Sequence, residues 1–205
     1  MLTRLTLVRH GETTWNADGR WQGWAPAPLS ERGWTQAQET AEALRAAGLQ
    51  RIVSSDLRRT RQTAETINAL LNLPIAFDRR LREIDVGNWQ GLTHSEILEL
   101  DPENHRLWED SDRDARRFPD GESFQDLQMR VVEALRDLAT LHPGAHLLIM
   151  THGGVIRSAG LAFDPANQAA IMATPIHNCS ITRLEAHAAG WRVAEFAQEA
   201  SRCTW

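Results

Sequence analysis

Two short segments of this chain carry the residues best suited to chemistry: Arg9-His10-Gly11 and Thr151-His152-Gly153-Gly154. Each ends an apolar run of strand type, residues 5–8 before the first and residues 145–150 before the second. A His-Gly corner at a strand end aims an imidazole past the edge of a sheet, where ligands of open α/β sheets bind. A third corner, Ser54-Ser55-Asp56, closes another apolar run and leads directly to Arg58 and Arg59. An arginine fork stays charged and donates two parallel hydrogen bonds, the geometry that a phosphoryl group accepts. A helix opening after Asp56 adds backbone N–H groups and the positive end of its dipole. Asn16 and Gln22 offer neutral donors. Two imidazoles and at least two arginines around one crevice make a site for a phosphate ester.

Those corners converge only if the elements behind them share a sheet. Strand-like runs at 5–8, 51–54, 75–77 and 145–150 alternate with amphipathic helical runs. Ser30 caps an expected helix through Ala47 that stops at Gly48, and Asp56 caps one through Leu71 that Pro74 closes. Thr93-His94-Ser95-Glu96 has the form of a capping box, opening a helical stretch that Asp101-Pro102 interrupts. Pro119-Asp120-Gly121 is a turn, a helix follows over 123–141, and His142-Pro143-Gly144 ends it. After a helix near 155–161, residues 180–185 and 191–196 read as a hairpin around Ala188-Ala189-Gly190. Such alternation predicts an α/β three-layer sandwich, with a mostly parallel central sheet and helices on both faces. The 79–121 stretch has the least strand character and is expected to be a helical excursion over the active-site edge.

The 205 residues read as a single domain, 1–205, large enough to bury a core without staples. Lys+Arg 22 against Asp+Glu 27 gives a net charge of −5, which argues against nucleic acid or a membrane surface as partner and leaves room for a local basic pocket. Cys179 and Cys203 form neither a metal spacing nor a disulfide framework. No apolar run approaches the ~20 residues of a membrane span, and no charged-then-apolar leader opens the chain. A cytoplasmic location is the expectation. An exposed sheet edge is where a homodimer would form.

Taken in order, Leu7-Val8-Arg9-His10-Gly11-Glu12-Thr13, Ser54-Ser55-Asp56-Leu57-Arg58-Arg59-Thr60, Glu83 through Gly91, Gly121-Glu122-Ser123 and Thr151-His152-Gly153-Gly154 closely resemble the motifs of the histidine phosphatase superfamily, also called the phosphoglycerate mutase-like family. The match spans nearly the whole chain. The resemblance implies that His10 is the nucleophile and becomes phosphohistidine, with its second ring nitrogen held by a loop carbonyl. It implies that Arg9, Arg59 and His152 hold the phosphoryl oxygens, work that magnesium does in many phosphotransferases. Glu83 would be the general acid, and the same carboxylate would activate water in the second half-reaction. Asn16, Gln22 and Gly153 would contact substrate, a small phosphorylated metabolite, with no metal and no cofactor. Helical spacing agrees on the arginine. With Leu57, Ala64, Ile67, Leu70 and Leu71 facing inward, Arg58 lies opposite that face, Arg59 on one flank and Arg61 on the other.

Two positions depart from the family pattern. Pro26 stands where an aspartate is common, and Gln90 replaces a common glutamate. Glu122 and Ser123 are read as a helix start, and His94, His105, His142, His146, His177 and His187 as structural or surface residues. Trp15, Trp21, Trp24 and Trp34 crowd the first motif, with packing as their expected role. Phosphatase chemistry is favoured over its rivals: a mutase of the same superfamily, a non-catalytic phospho-ligand binder, and a metal-dependent hydrolase using His10 and His152 as ligands. The short stretch from Glu83 to His152 is the reason for preferring the phosphatase to the mutase.

Overall fold

A computed structural model describes residues 1–203. The strands are β1 (Thr3–Arg9), β2 (Arg51–Ser54), β3 (Ile75–Phe77), β4 (His146–Thr151), β5 (Ile181–His187) and β6 (Gly190–Gln198). They form one sheet in the order β3-β2-β4-β1-β5-β6. The first four pair in parallel, and β5 and β6 continue the sheet antiparallel. The helices are α1 (Thr14–Ala17), α2 (Glu31–Leu44), α3 (Arg58–Leu71), α4 (His94–Leu100), α5 (Pro102–Asp110), α6 (Phe124–Leu141), α7 (Gly153–Phe163) and α8 (Gln168–Ala173). This is the α/β layering that the alternation predicts.

Side-chain alternation along β1 and β4 builds two cores. Leu5, Leu7, Leu147 and Ile149 meet α6 and α7 through Leu127, Val131, Leu135, Val155 and Ile156. Val8, Leu148 and Met150 meet α2 and α3 through Ala41, Leu44, Ala64 and Ile67. Burial on both faces is why these strands read as continuous apolar runs. After β1 the chain passes to helices on one face, and after β4 to α7 on the other. The crevice between such strands is the switch point where open α/β sheets bind ligands. Register places Arg9 opposite Thr151, so the next residues, His10 and His152, emerge side by side. The His10 N–H donates to the Thr151 carbonyl at 3.0 Å.

Two local expectations are corrected, and two short helices are added. The polar stretch after Gly11 contains α1, one helical turn opened by a Thr13–Asn16 capping box. Asp56 does not cap α3; the N-cap is Leu57, without a side-chain bond. The Asp56 carboxylate instead takes two bonds of 2.6 Å from Arg82, a charge-assisted pair stronger than a bond to a neutral amide. Leu70 is 38% exposed, and the inward residues of α3 are Arg59, Thr60, Thr63, Ala64 and Ile67. The helix faces a polar crevice at its N-terminal end, so its buried stripe is partly polar. Helix α8 is an addition to the expected elements, since its six residues are too few to show a period.

The 79–121 excursion carries α4 and α5 around a cluster of Trp21, Trp89, Trp108 and Phe118. The three indoles lie 5.8 to 6.4 Å apart between ring centroids. Trp89 donates to the Asp101 carboxylate at 2.9 Å, and the buried His105 ring packs against Trp89.

Candidate active site

The first corner fixes one imidazole through a backbone carbonyl at Nδ1. His10 is buried, and its Nδ1 lies 2.7 Å from the Gly11 carbonyl oxygen. A carbonyl only accepts, so Nδ1 carries the proton and Nε2 keeps its lone pair. Burial, then the charges of Arg59 and Arg9, hold His10 well below the usual imidazole pKa, so the ring is neutral. The loop is pinned from several sides. Gly11 N–H donates to Thr63 Oγ1 at 3.0 Å, and Asn178 Nδ2 donates to the His10 carbonyl at 2.9 Å. A Cβ on Gly11 would meet the Gly33 carbonyl oxygen at 2.5 Å, so this corner presses backbone against the start of α2.

Two arginines surround the ring. Arg59 Nε donates to His10 Nε2 at 3.2 Å, while its two terminal nitrogens donate to the Ala25 and Gly23 carbonyls. Burial lowers the Arg59 pKa to about 10, with Glu83 opposing the shift, and the guanidinium stays charged at neutral pH. Arg9 Nη1 donates to the Ile176 carbonyl at 2.6 Å, and its buried Nε has no partner.

The second corner starts a helix. His152 is the N-cap residue of α7, fully buried, with its ring centroid 5.2 Å from that of His10. Its Nε2 lies 2.9 Å from Ser55 Oγ, and its Nδ1 has no partner. Burial first, then Arg59, His10, Arg130 and Arg9, push its pKa well down.

Glu83 reaches the cleft from the excursion. Its Oε1 accepts from the Ile84 N–H at 2.9 Å and its Oε2 from the Gly154 N–H at 3.2 Å. A Cβ on Gly154 would collide with Oε1, so the second glycine of the His-Gly-Gly corner makes room for the carboxylate. The Glu83 carbonyl accepts from Trp24 Nε1 and Arg130 Nη2, both at 2.8 Å. Arg130 also donates to the Arg80 and Arg82 carbonyls and to both Glu122 oxygens, and Thr151 Oγ1 donates to the Leu81 carbonyl.

Arg9, His10, Arg59 and Glu83 lie on the wall of a cleft of about 410 Å³, and His152 sits wholly buried behind His10 rather than on that wall. Asn16, Gln22, Arg20 and Gly154 line it too, as do the apolar Trp21, Ile84, Val86 and Phe124. Gln22 is buried and its Oε1 has no partner. Asn16 Oδ1 is taken by the Thr13 N–H and hydroxyl, leaving its amide nitrogen for the cleft. Gly153 borders a smaller adjoining hollow that shares Arg9, Phe124 and Gly154. Arg58 points to solvent, and Arg61 covers the Phe77 ring. Pro26 is exposed, while Gln90 accepts from the Trp24 N–H at 2.8 Å and braces the cleft loop. Glu122 and Ser123 serve Arg130 and the α6 cap. Sequence reasoning gives no role to Ser55, Gly154, Thr63 or Arg130. The first three lie inside or beside recognised motifs; Arg130 binds mostly carbonyls, which leave no mark in a sequence.

An open α/β sheet with two strand-end imidazoles in a cationic cleft defines a class of phosphate-ester-handling proteins. A family model of the histidine phosphatase superfamily (branch 1) matches residues 5–199, and the chain belongs to that superfamily. It is 36% identical to an Enterobacter protein named "Probable phosphoglycerate mutase GpmB" over 97% of this chain and 92% of that protein. Bacillus stearothermophilus YhfR superposes with a TM-score of 0.87 at 35% identity, over 96% of this chain and 97% of the other. A mycobacterial glucosyl-3-phosphoglycerate phosphatase in complex with VO3 superposes with a TM-score of 0.83 at 34% identity, over 95% and 98% of the two chains.

Proposed function

We propose that this chain is a metal-independent phosphomonoester phosphatase that works through phosphohistidine on small phosphorylated metabolites. One observation carries the proposal. His10 is buried and neutral, with Nδ1 tied to the Gly11 carbonyl and Nε2 facing the Arg59 guanidinium at 3.2 Å. That is a nucleophile held ready beside the charge that would bind its target.

Arg9, Arg59 and His152 hold the phosphoryl oxygens, and Asn16, Gln22 and Gly153 contact the remainder of the substrate. The His10 Nε2 lone pair forms a bond to phosphorus as the ester P–O bond breaks. The leaving oxygen takes its electron pair and a proton from the acid form of Glu83. Water then attacks phosphorus and gives a proton to the Glu83 carboxylate, while the N–P electron pair returns to Nε2. Inorganic phosphate departs and Glu83 is again an acid. The arginines supply the charge that a divalent ion provides elsewhere. The same two cations repel a metal from His10 and His152, and no group of three or more His, Cys, Asp or Glu side chains is assembled for one among the described residues.

Transfer to water is preferred to mutase chemistry because the 83–152 stretch is short, and a mutase must keep water from its phosphoenzyme. The name of the Enterobacter relative favours the mutase, and that of the mycobacterial neighbour the phosphatase. Incubation with phosphoglycerates and a generic aryl phosphate, following free phosphate separately from isomer formation, decides between them. Phosphate release without isomer is expected, and isomer without phosphate release overturns the reading. A panel of cellular phosphomonoesters, ranked by kcat/KM, then identifies the substrate.

A further inference from the structure

We infer that Ser55 is a positioning residue that sets the tautomer of His152, so that this neutral imidazole carries its proton on Nδ1 and offers it to a phosphoryl oxygen. The inference rests on the phosphatase reading for its use, but its geometry stands on two contacts and one unpartnered nitrogen.

Ser55 Oγ is fully buried, 2.9 Å from His152 Nε2. Its other side-chain contact is the Leu57 N–H at 3.4 Å, which is a donor. The hydroxyl oxygen accepts from Leu57, and among the described residues its own hydrogen finds an acceptor only if His152 Nε2 takes it. A ring that accepts at Nε2 while neutral must be protonated at Nδ1. Nδ1 is buried and has no partner. An unpartnered buried N–H is costly in an apolar core, but it is the group an anion site requires. The reverse tautomer would leave a lone pair there, which repels a phosphoryl oxygen.

Ser55 is itself immobile. Its N–H donates to the Met150 carbonyl at 2.9 Å, and its carbonyl accepts from Ser54 Oγ at 2.7 Å and Thr60 Oγ1 at 3.0 Å. The hydroxyl thus sits at the rigid end of β2, the strand beside β4. A serine at this corner acts on the phosphate site through the imidazole it orients, without touching the phosphoryl group.

The test is 15N NMR of ring-labelled protein, read at His152 after assignment against His152→Ala. Wild-type protein is expected to show a pyrrole-type Nδ1 and a pyridine-type Nε2; the opposite pattern overturns the inference without any variant having to fold. In Ser55→Ala, the proton should move substantially to Nε2 and kcat should fall on the order of tenfold or more, with the His10 ring signals unchanged. An unmoved His152 pattern in that variant, or an unchanged kcat, also overturns it. If wild-type protein lacks phosphatase activity, the phosphatase reading fails while the tautomer measurement still decides the role of Ser55.

Discussion

The two His-Gly corners start from similar sequence and end on paired neighbouring strands, yet they hold their imidazoles in opposite ways. At the first, the chain turns into a loop and His10 bonds to the carbonyl of the next residue, leaving the Nε2 lone pair to face the Arg59 guanidinium. At the second, the chain enters α7 and its carbonyls are consumed by the helix, so His152 finds Ser55 instead and leaves Nδ1. Whether a loop or a helix succeeds the glycine decides which nitrogen is free. A free lone pair suits a nucleophile and a free N–H suits a donor, so one local pattern used twice yields two roles.

The sharpest way to break this comparison is to remove each ring. His10→Ala should lower turnover of an aryl phosphate on the order of 10³-fold or more and abolish acid-labile phosphoenzyme. His152→Ala should cost less, about 10²–10³-fold, and still form phosphoenzyme slowly. Equal losses with phosphoenzyme absent from both would mean that the roles are not divided. Glu83→Gln should reduce hydrolysis of alkyl phosphates about 10²–10⁴-fold. An aryl phosphate, whose leaving group needs no proton, should still give a fast first-turnover burst of the phenol before the slowed hydrolysis of phosphoenzyme; a burst slowed as much as the alkyl reaction would remove Glu83 as the acid.

The glycines sharpen the contrast. Gly154→Ala strikes the far end of a side chain, so the protein should fold while kcat drops about 10²-fold through a displaced Glu83. Gly11→Ala strikes the Gly33 backbone and should cost about 1–3 kcal/mol of stability, read by denaturant melts. The smallest effect is with pH. Both histidines have folded pKa values well below 6.5, so below that pH the unfolded chain binds protons that the folded one refuses. Stability should therefore be full above pH 6.5 and fall as pH drops, by at most about 1.4 kcal/mol per unit for each histidine. Either histidine-to-alanine variant should flatten that slope, and an unchanged slope would mean that the rings accept protons when folded.

The strands that aim these corners are legible because apolar runs buried on both faces leave a plain mark, and register then makes neighbours of His10 and His152. Glu83 comes only through its motif, since nothing in its spacing tells a cleft carboxylate from a solvated one. Asp56 misleads because a capping residue and an ion-pair partner look the same in sequence; Arg82, distant in the chain, wins it. Leu70 misleads because the inward stripe of α3 is partly threonine and arginine. Ser55 and Arg130 act through bonds to groups far along the chain, which no local period records.

Trp21 belongs to the cleft wall and to the indole cluster at once. At such spacings the tryptophans share excitation, so a change of polarity at one alters the light emitted by all three. Occupancy of the cleft should therefore change the intrinsic fluorescence of the molecule. Phosphate esters can be titrated optically, without dye or turnover, in protein whose His10 has been removed.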